Sequence, residues 1–156
     1  MKKILFVCLG NICRSPMAEF VFKDLVKKEG LDNDFYIESA ATSSEEIGNR
    51  MHYGTIQKLK EKNIEYGDKR ARKLISSDYD KFDYIIGMDE RNIINIERIV
   101  GKDSENKIYK LLDFSNRPRD IADPWYTGNF DKTYDDILEA CKAFLKFILD
   151  KWKKMV

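Results

Sequence analysis

Val7-Cys8-Leu9-Gly10-Asn11-Ile12-Cys13-Arg14-Ser15-Pro16 is the stretch on which the fold of this chain turns. It follows the apolar run Ile4-Leu5-Phe6-Val7 and precedes a segment of helical periodicity, so it reads as the turn between a first strand and a first helix. Such turns bind anions in α/β proteins. The free N–H groups of the helix start and of the curling loop converge there, and the helix dipole adds positive charge. Gly10 and Asn11 are residue types that tolerate the left-handed backbone such a cradle uses.

Two side chains make the cradle a candidate reaction site. Cys8 stands at the strand end, where loop amides and helix dipole favour thiolate over thiol. Arg14 lies where the loop closes, and its planar fork can hold two oxygens of a phosphoryl group. Ser15 either caps the helix, with Pro16 at the first helical position, or lends its hydroxyl to the sulfur. A Cys-x5-Arg spacing alone also fits a buried cysteine at a strand end. Here the strand before, Gly-Asn within, Ser-Pro after and the helix that follows all favour the reactive reading.

Ala18, Val21, Phe22, Leu25 and Val26 then recur at helical spacing up to Glu29-Gly30, which predicts a helix over 15–29, and residues 35–40 read as a second strand. The small, polar and acidic residues 41–48 form a loop expected beside the cradle. A helix over 51–62, a marginal strand at 73–75, a buried strand over 83–87, a helix over 91–100 and a fourth strand near 107–112 follow. Residues 113–129 read as a long irregular loop, of the kind that carries function in compact domains. A final helix over 131–153 presents Tyr134, Ile137, Leu138, Cys141, Phe144, Leu145, Ile148 and Trp152 on one face, which puts Cys141 in the core. The alternation predicts one α/β domain over 1–156, in three layers, with a central four-stranded parallel twisted sheet and helices on both faces.

Inside the long loop, Asp123-Pro124 by itself is a turn-initiating pair. Beside a cysteine cradle it also supplies the carboxylic acid that a departing oxygen needs. Trp125 and Tyr126 then read either as core or as an aromatic wall against a flat ring.

The signature Val-Cys-x-Gly-Asn-x-Cys-Arg-Ser-Pro at residues 7–16 is followed, in order, by Ser39-Ala40-Ala41-Thr42-Ser43, Met88-Asp89-Glu90 and Asp123-Pro124-Trp125-Tyr126. On these motifs the chain resembles the low-molecular-weight protein tyrosine phosphatases over nearly its whole length. The resemblance implies a cysteine-dependent, metal-independent hydrolase that uses Cys8, Arg14 and Asp123 as catalytic residues and passes through a cysteinyl phosphate. It also implies Leu9, Gly10, Asn11, Ile12, Cys13 and Ser15 around the phosphate, and a substrate wall of Ile12, Glu45, Trp125 and Tyr126. Cys13 either packs behind the loop or forms a reversible disulfide with Cys8. Asn11 and Ser15 resemble a loop-organising pair, and Asp89 is either a scaffold carboxylate or a plain N-terminal acid of its helix. Tyrosine-phosphorylated proteins are the implied substrates and inorganic phosphate the product. No cofactor is implied.

Two positions depart from the family pattern. Lys69 stands before Arg70-Ala71-Arg72 where relatives commonly carry a histidine that contacts the phosphate loop. Glu45 replaces a frequent aromatic residue, giving an acidic rim that would repel acidic flanking residues and tolerate basic ones. His52, the only histidine, reads as an exposed surface residue without a role.

Other activities are weighed by single residues. Phosphoarginine hydrolysis goes in resembling enzymes with a threonine where this chain has Ile12, whose apolar side chain suits a ring instead. Thiol-dependent arsenate reduction needs relay cysteines beyond Cys13 and Cys141. A phosphocarrier or silent phosphate-binding module has no use for both Arg14 and Asp123. The 28 basic and 27 acidic side chains nearly cancel, which argues against nucleic-acid or membrane-surface binding. No apolar run reaches the roughly 18 residues of a membrane span. Three cysteines, an odd number, suit a reducing cytoplasm, and a monomer or weak homo-oligomer is expected.

Overall fold

The structure is a computed structural model and describes residues 1–154. In chain order the main elements are β1 (Lys2–Cys8), α1 (Arg14–Lys28), β2 (Phe35–Ala41), α2 (Tyr53–Glu61), α3 (Asp78–Lys81), β3 (Tyr84–Gly87), α4 (Glu90–Val100), β4 (Ile108–Lys110), α5 (Pro124–Thr127) and α6 (Phe130–Lys154). The four strands form one parallel sheet in the order β2-β1-β3-β4. Central position explains why Ile4-Leu5-Phe6-Val7 is apolar throughout: a parallel strand covered on both faces has no solvent side to alternate with. Ile4, Phe6 and Cys8 pack toward α1 and α6, while Leu5 and Val7 meet Leu74, Phe82, Ile85 and Ile96 on the opposite face. Phe22 of α1 bridges Phe6 (centroids 5.7 Å apart) and Phe144 of α6 (5.3 Å), joining the first strand to the last helix.

From β1 the chain goes to β2 on one side and then back past β1 to β3 on the other. The carboxyl ends of β1 and β3 therefore open a crevice at the point where the winding reverses, the usual place for a ligand in this architecture. Cys8 ends β1 and Met88-Asp89 follows β3, so both arrive there.

Several expectations need adjustment. Residues 73–75 are not a strand. Only Lys73 bridges to Ala41, because Ile75 N–H then donates to the Asp78 carboxylate (2.9 Å) and the chain turns into α3. The fourth strand stops at Lys110, and residues 111–114 form a 3-10 turn. The long loop is not wholly irregular, since α5 interrupts it. Helix α1 begins at Arg14 with Cys13 as N-cap and no side-chain capping bond, so Ser15 is not the cap. Gly10 does not adopt the left-handed conformation, whereas Asn11 does, at φ 58°.

Candidate active site

At the end of β1 the Cys8 sulfur faces three donors. The amide N–H groups of Asn11 and Ser15 point at it from 3.3 and 3.4 Å, and Ser15 Oγ lies 3.0 Å away. That hydroxyl already accepts a hydrogen bond from Asn11 Nδ2 (2.8 Å) and is 3.4 Å from the Ala40 carbonyl, so the sulfur is the nearer taker of its single proton. Of the two roles open to Ser15, the structure uses the bond to sulfur.

Asn11 braces the loop with its whole amide group. Besides Ser15, Nδ2 donates to Ser39 Oγ (2.9 Å), and Oδ1 accepts from the Arg72 N–H (3.2 Å). Ser39 Oγ donates a hydrogen bond to the buried Glu19 carboxylate (2.6 Å), which is closed off by Lys23 (2.6 Å). Lys69 Nζ donates to the Ser39 carbonyl (2.8 Å), so the lysine supports the same frame from the other end of that residue. Burial pushes the Lys69 ammonium below its ordinary pKa. The side chains of Asn11 and Ser15 thus form the frame behind the cavity, while their backbone N–H groups face the Cys8 sulfur.

Arg14 is 2% exposed and ties three segments together. Nη1 donates to Asp89 Oδ2 (2.6 Å) and to the Ile121 carbonyl (2.8 Å), and Nη2 reaches Asp123 Oδ2 at 3.4 Å. Burial works against its charge, but Cys8 and the Asp89 and Asp123 carboxylates outweigh that and hold its pKa above the ordinary value. Arg14 Nε has no partner among the described residues. A buried donor left without a protein partner suits an incoming oxyanion. Asp89 combines both roles weighed for it: Oδ2 takes Arg14, while Oδ1 caps α4 through the Asn92 N–H (2.8 Å).

The cavity above Cys8 has a volume of about 110 Å³, and its walls include Ile12, Cys13, Glu45, Asp123, Trp125 and Tyr126. Leu9, Gly10, Ser43 and Glu46 complete the lining. Asp123 is the N-cap of α5, and its Oδ1 accepts from the Trp125 N–H (3.0 Å), which turns Oδ2 toward Arg14. Trp125 is 57% and Tyr126 76% exposed, so neither is a core residue. Cys13 is buried; desolvation first, then the charges of Cys8 and Asp123, push its thiol up to about 12. The raised value favours packing over ready thiolate chemistry in the resting protein. Cys141 is fully buried, with its thiol also pushed up by desolvation.

A wider groove of about 930 Å³ runs between α1 and residues 63–67, but it is lined by paired charges such as Lys27–Glu65 (3.1 Å) and includes none of Cys8, Arg14 and Asp123. Two contributors go beyond the sequence reading. Glu19 has a readable signal, lying four positions after Ser15 on the same helix face. The Ile121 carbonyl has none, since its partner is distant in the chain, and Ser39, part of the motif at 39–43, is placed by the structure as a bridge between Asn11 and Glu19. His52 is not a free surface residue: it is half-buried, caps α2 and touches Trp125.

The family model described as low molecular weight phosphotyrosine protein phosphatase matches residues 3–154. The chain is 41% identical over 150 residues to the low molecular weight protein-tyrosine-phosphatase YfkJ of Bacillus subtilis, covering 95% of this chain and 96% of that one. It is 39% identical over 150 residues to PtpA of Staphylococcus aureus strain Newman, covering 96% and 95%. The crystal structure of YfkJ superposes with a TM-score of 0.94 at 40% identity, over 97% of this chain and 96% of that one. A Drosophila arginine phosphatase superposes at 0.86 with 34% identity, covering 95% and 98%.

Proposed function

The chain belongs to the low molecular weight phosphotyrosine protein phosphatase family, and we propose that it hydrolyses phosphotyrosine in proteins, and small aryl phosphates, with Cys8, Arg14 and Asp123 as its catalytic residues. Cys8 Sγ attacks phosphorus in line with the leaving phenolic oxygen. The S–P bond forms as the P–O bond to the ring breaks, and charge on the three equatorial oxygens is met by Arg14 and by the amides of Leu9, Gly10, Asn11, Ile12, Cys13 and Ser15. Arg14 Nε is open for one of those oxygens, and Nη2 can exchange its long contact to Asp123 for another.

Asp123 gives its proton to the leaving oxygen. The carboxylate then takes a proton from water as that water attacks the cysteinyl phosphate, releasing inorganic phosphate and restoring the thiolate. Ile12, Glu45, Trp125 and Tyr126 wall the aryl group. The whole chain, 1–156, acts as one such domain, in the cytoplasm, as a monomer or weak homo-oligomer and without cofactor. Among the described residues no helix is long and apolar enough to cross a membrane.

The observation that supports this reading is convergence. A sulfur from a strand end and a carboxyl from a distant loop line one small cavity, and a buried guanidinium 109 positions before that carboxyl is bonded to it. Phosphoarginine hydrolysis is disfavoured by Ile12, which offers the cavity no hydroxyl.

Hydrolysis of p-nitrophenyl phosphate and phenyl phosphate by wild type, Cys8→Ser and Asp123→Ala tests it. Cys8→Ser should lose turnover by a factor on the order of 10^4 or more. Asp123→Ala should lose about 10^2- to 10^3-fold on phenyl phosphate and less on p-nitrophenyl phosphate, whose better leaving group needs the proton less. Retention of activity by Cys8→Ser would refute the assignment.

A further inference from the structure

His52 sits among three segments that surround the reaction. Its backbone N–H donates to the Ile12 carbonyl of the phosphate loop at 2.8 Å, and its Nδ1 accepts from the Gly54 N–H at 2.9 Å, capping α2. That bond puts the proton of the neutral ring on Nε2 and sets the ring orientation. The ring stacks on Phe130, the first residue of α6, with centroids 5.1 Å and planes 23° apart, and meets Trp125 edge to face at 5.6 Å and 82°. The seat is tight, because a Cβ on Gly54 would come within 2.4 Å of the Phe130 ring. Only glycine at 54 lets Phe130 lie there.

Trp125 is more than half exposed, and its one ring–ring contact among the described residues is with His52. An exposed indole held at one edge would otherwise sample several rotamers. Its backbone N–H is the donor to Asp123 Oδ1, so a shift of the indole is felt at the carboxyl two residues away.

We propose that His52 is a positioning residue of the phosphatase reaction: its ring holds Trp125, and through Trp125 the Asp123 carboxyl, in register with the phosphate loop whose Ile12 carbonyl it also binds. The inference rests on Asp123 being the proton donor. It separates cleanly from a capping role, since the cap needs only an acceptor atom and the clasp needs only a ring. Asparagine supplies the first and phenylalanine the second.

The experiment compares kcat/KM, which reports the step that expels the phenol, for wild type, His52→Asn, His52→Phe, Trp125→Ala and the His52→Asn/Trp125→Ala double variant. Phenyl phosphate and p-nitrophenyl phosphate are the two substrates. A misplaced acid should cost His52→Asn about tenfold on phenyl phosphate but only about twofold on p-nitrophenyl phosphate. His52→Phe should recover most of the difference, and the double variant should be no worse than Trp125→Ala alone. Equal losses on both substrates for His52→Asn, or His52→Phe as impaired as His52→Asn, would overturn the proposal and leave His52 a cap. Should His52→Phe fold poorly, additive losses in the double variant overturn it equally well. Turnover by Cys8→Ser would instead remove the reading of the site on which it rests.

Discussion

Between Cys8 and Ser15 the sulfur, the hydroxyl and the Asn11 amide are bonded to one another and to the β2 residues alongside, whereas between Asp113 and Asn129 the chain is fixed to the site by Arg14, more than a hundred positions away, and by the Met88 carbonyl after β3. The Cys8–Ser15 loop has its bracing side chains buried; the Asp113–Asn129 loop is anchored through the buried Ile121 and through Arg119 on Asp136 and Glu139, and carries Trp125 and Tyr126 exposed at its end. A tight frame suits charge stabilisation, which depends on donors that need no rearrangement when charge develops. An exposed aromatic end beside Asp123 suits proton donation, where substrate has to enter and product leave. Damage to the frame should therefore cost stability and activity together, and damage to the exposed end of the second loop activity alone.

Arg14→Lys strikes both regions and should have the largest effect. We expect kcat/KM to fall about 10^2- to 10^3-fold on phenyl phosphate and p-nitrophenyl phosphate alike, because an ammonium cannot replace the fork. Urea unfolding should show a loss of about 2 kcal/mol, since Asp89 and the Ile121 carbonyl lose a buried donor. Near-wild-type kinetics would break the contrast at the residue that joins its halves.

Asn11→Ala should come next, costing about 2–3 kcal/mol through three lost side-chain bonds and a left-handed backbone that alanine resists. Its kcat/KM should drop by the same factor on both substrates. Lost activity with an unchanged urea midpoint would mean that the frame is not what stabilises the loop.

On the rim, Glu45→Trp should leave stability within about 0.5 kcal/mol of wild type. It should raise kcat/KM about threefold on phosphotyrosine peptides with acidic flanks, at low salt only. Identical kinetics for the two proteins at low salt would dispose of the acidic-rim idea.

The smallest effect concerns Lys69. Burial lowers its pKa from the ordinary 10.5, so between the folded and unfolded values the unfolded chain binds more protons and stability rises with pH. Wild type should gain on Lys69→Met in urea midpoint as the pH rises toward the lysine's unperturbed value. The gain is limited because the side chain keeps part of its hydration. A flat or falling difference would show that the ammonium is not desolvated in solution.

What could be read in advance divides along the same line. The first helix and the last came out within a residue at each end, because long periodic patterns report burial directly. Residues 73–75 misled, since three residues carry too little periodicity to outweigh the Asp78 carboxylate that turns the chain. Ser15 looked like a cap because Ser-Pro commonly opens a helix, yet a sulfur within reach took its hydroxyl. His52 carried no signal, because a lone histidine between Met51 and Tyr53 looks the same whether or not two aromatic rings from later segments close on it.

Residue order alone settled the strand–turn–helix that presents Cys8 and Arg14, the presence of an acid far downstream, and the parallel sheet, for these depend on local periodicity and on turn chemistry. Folding in three dimensions decided that Asp89 both caps α4 and binds Arg14, that Lys69 supports the loop through Ser39, and that His52 meets Trp125. Such pairings join segments carried by different strands and helices, and a contact across a sheet leaves no periodic trace in either partner's own neighbourhood.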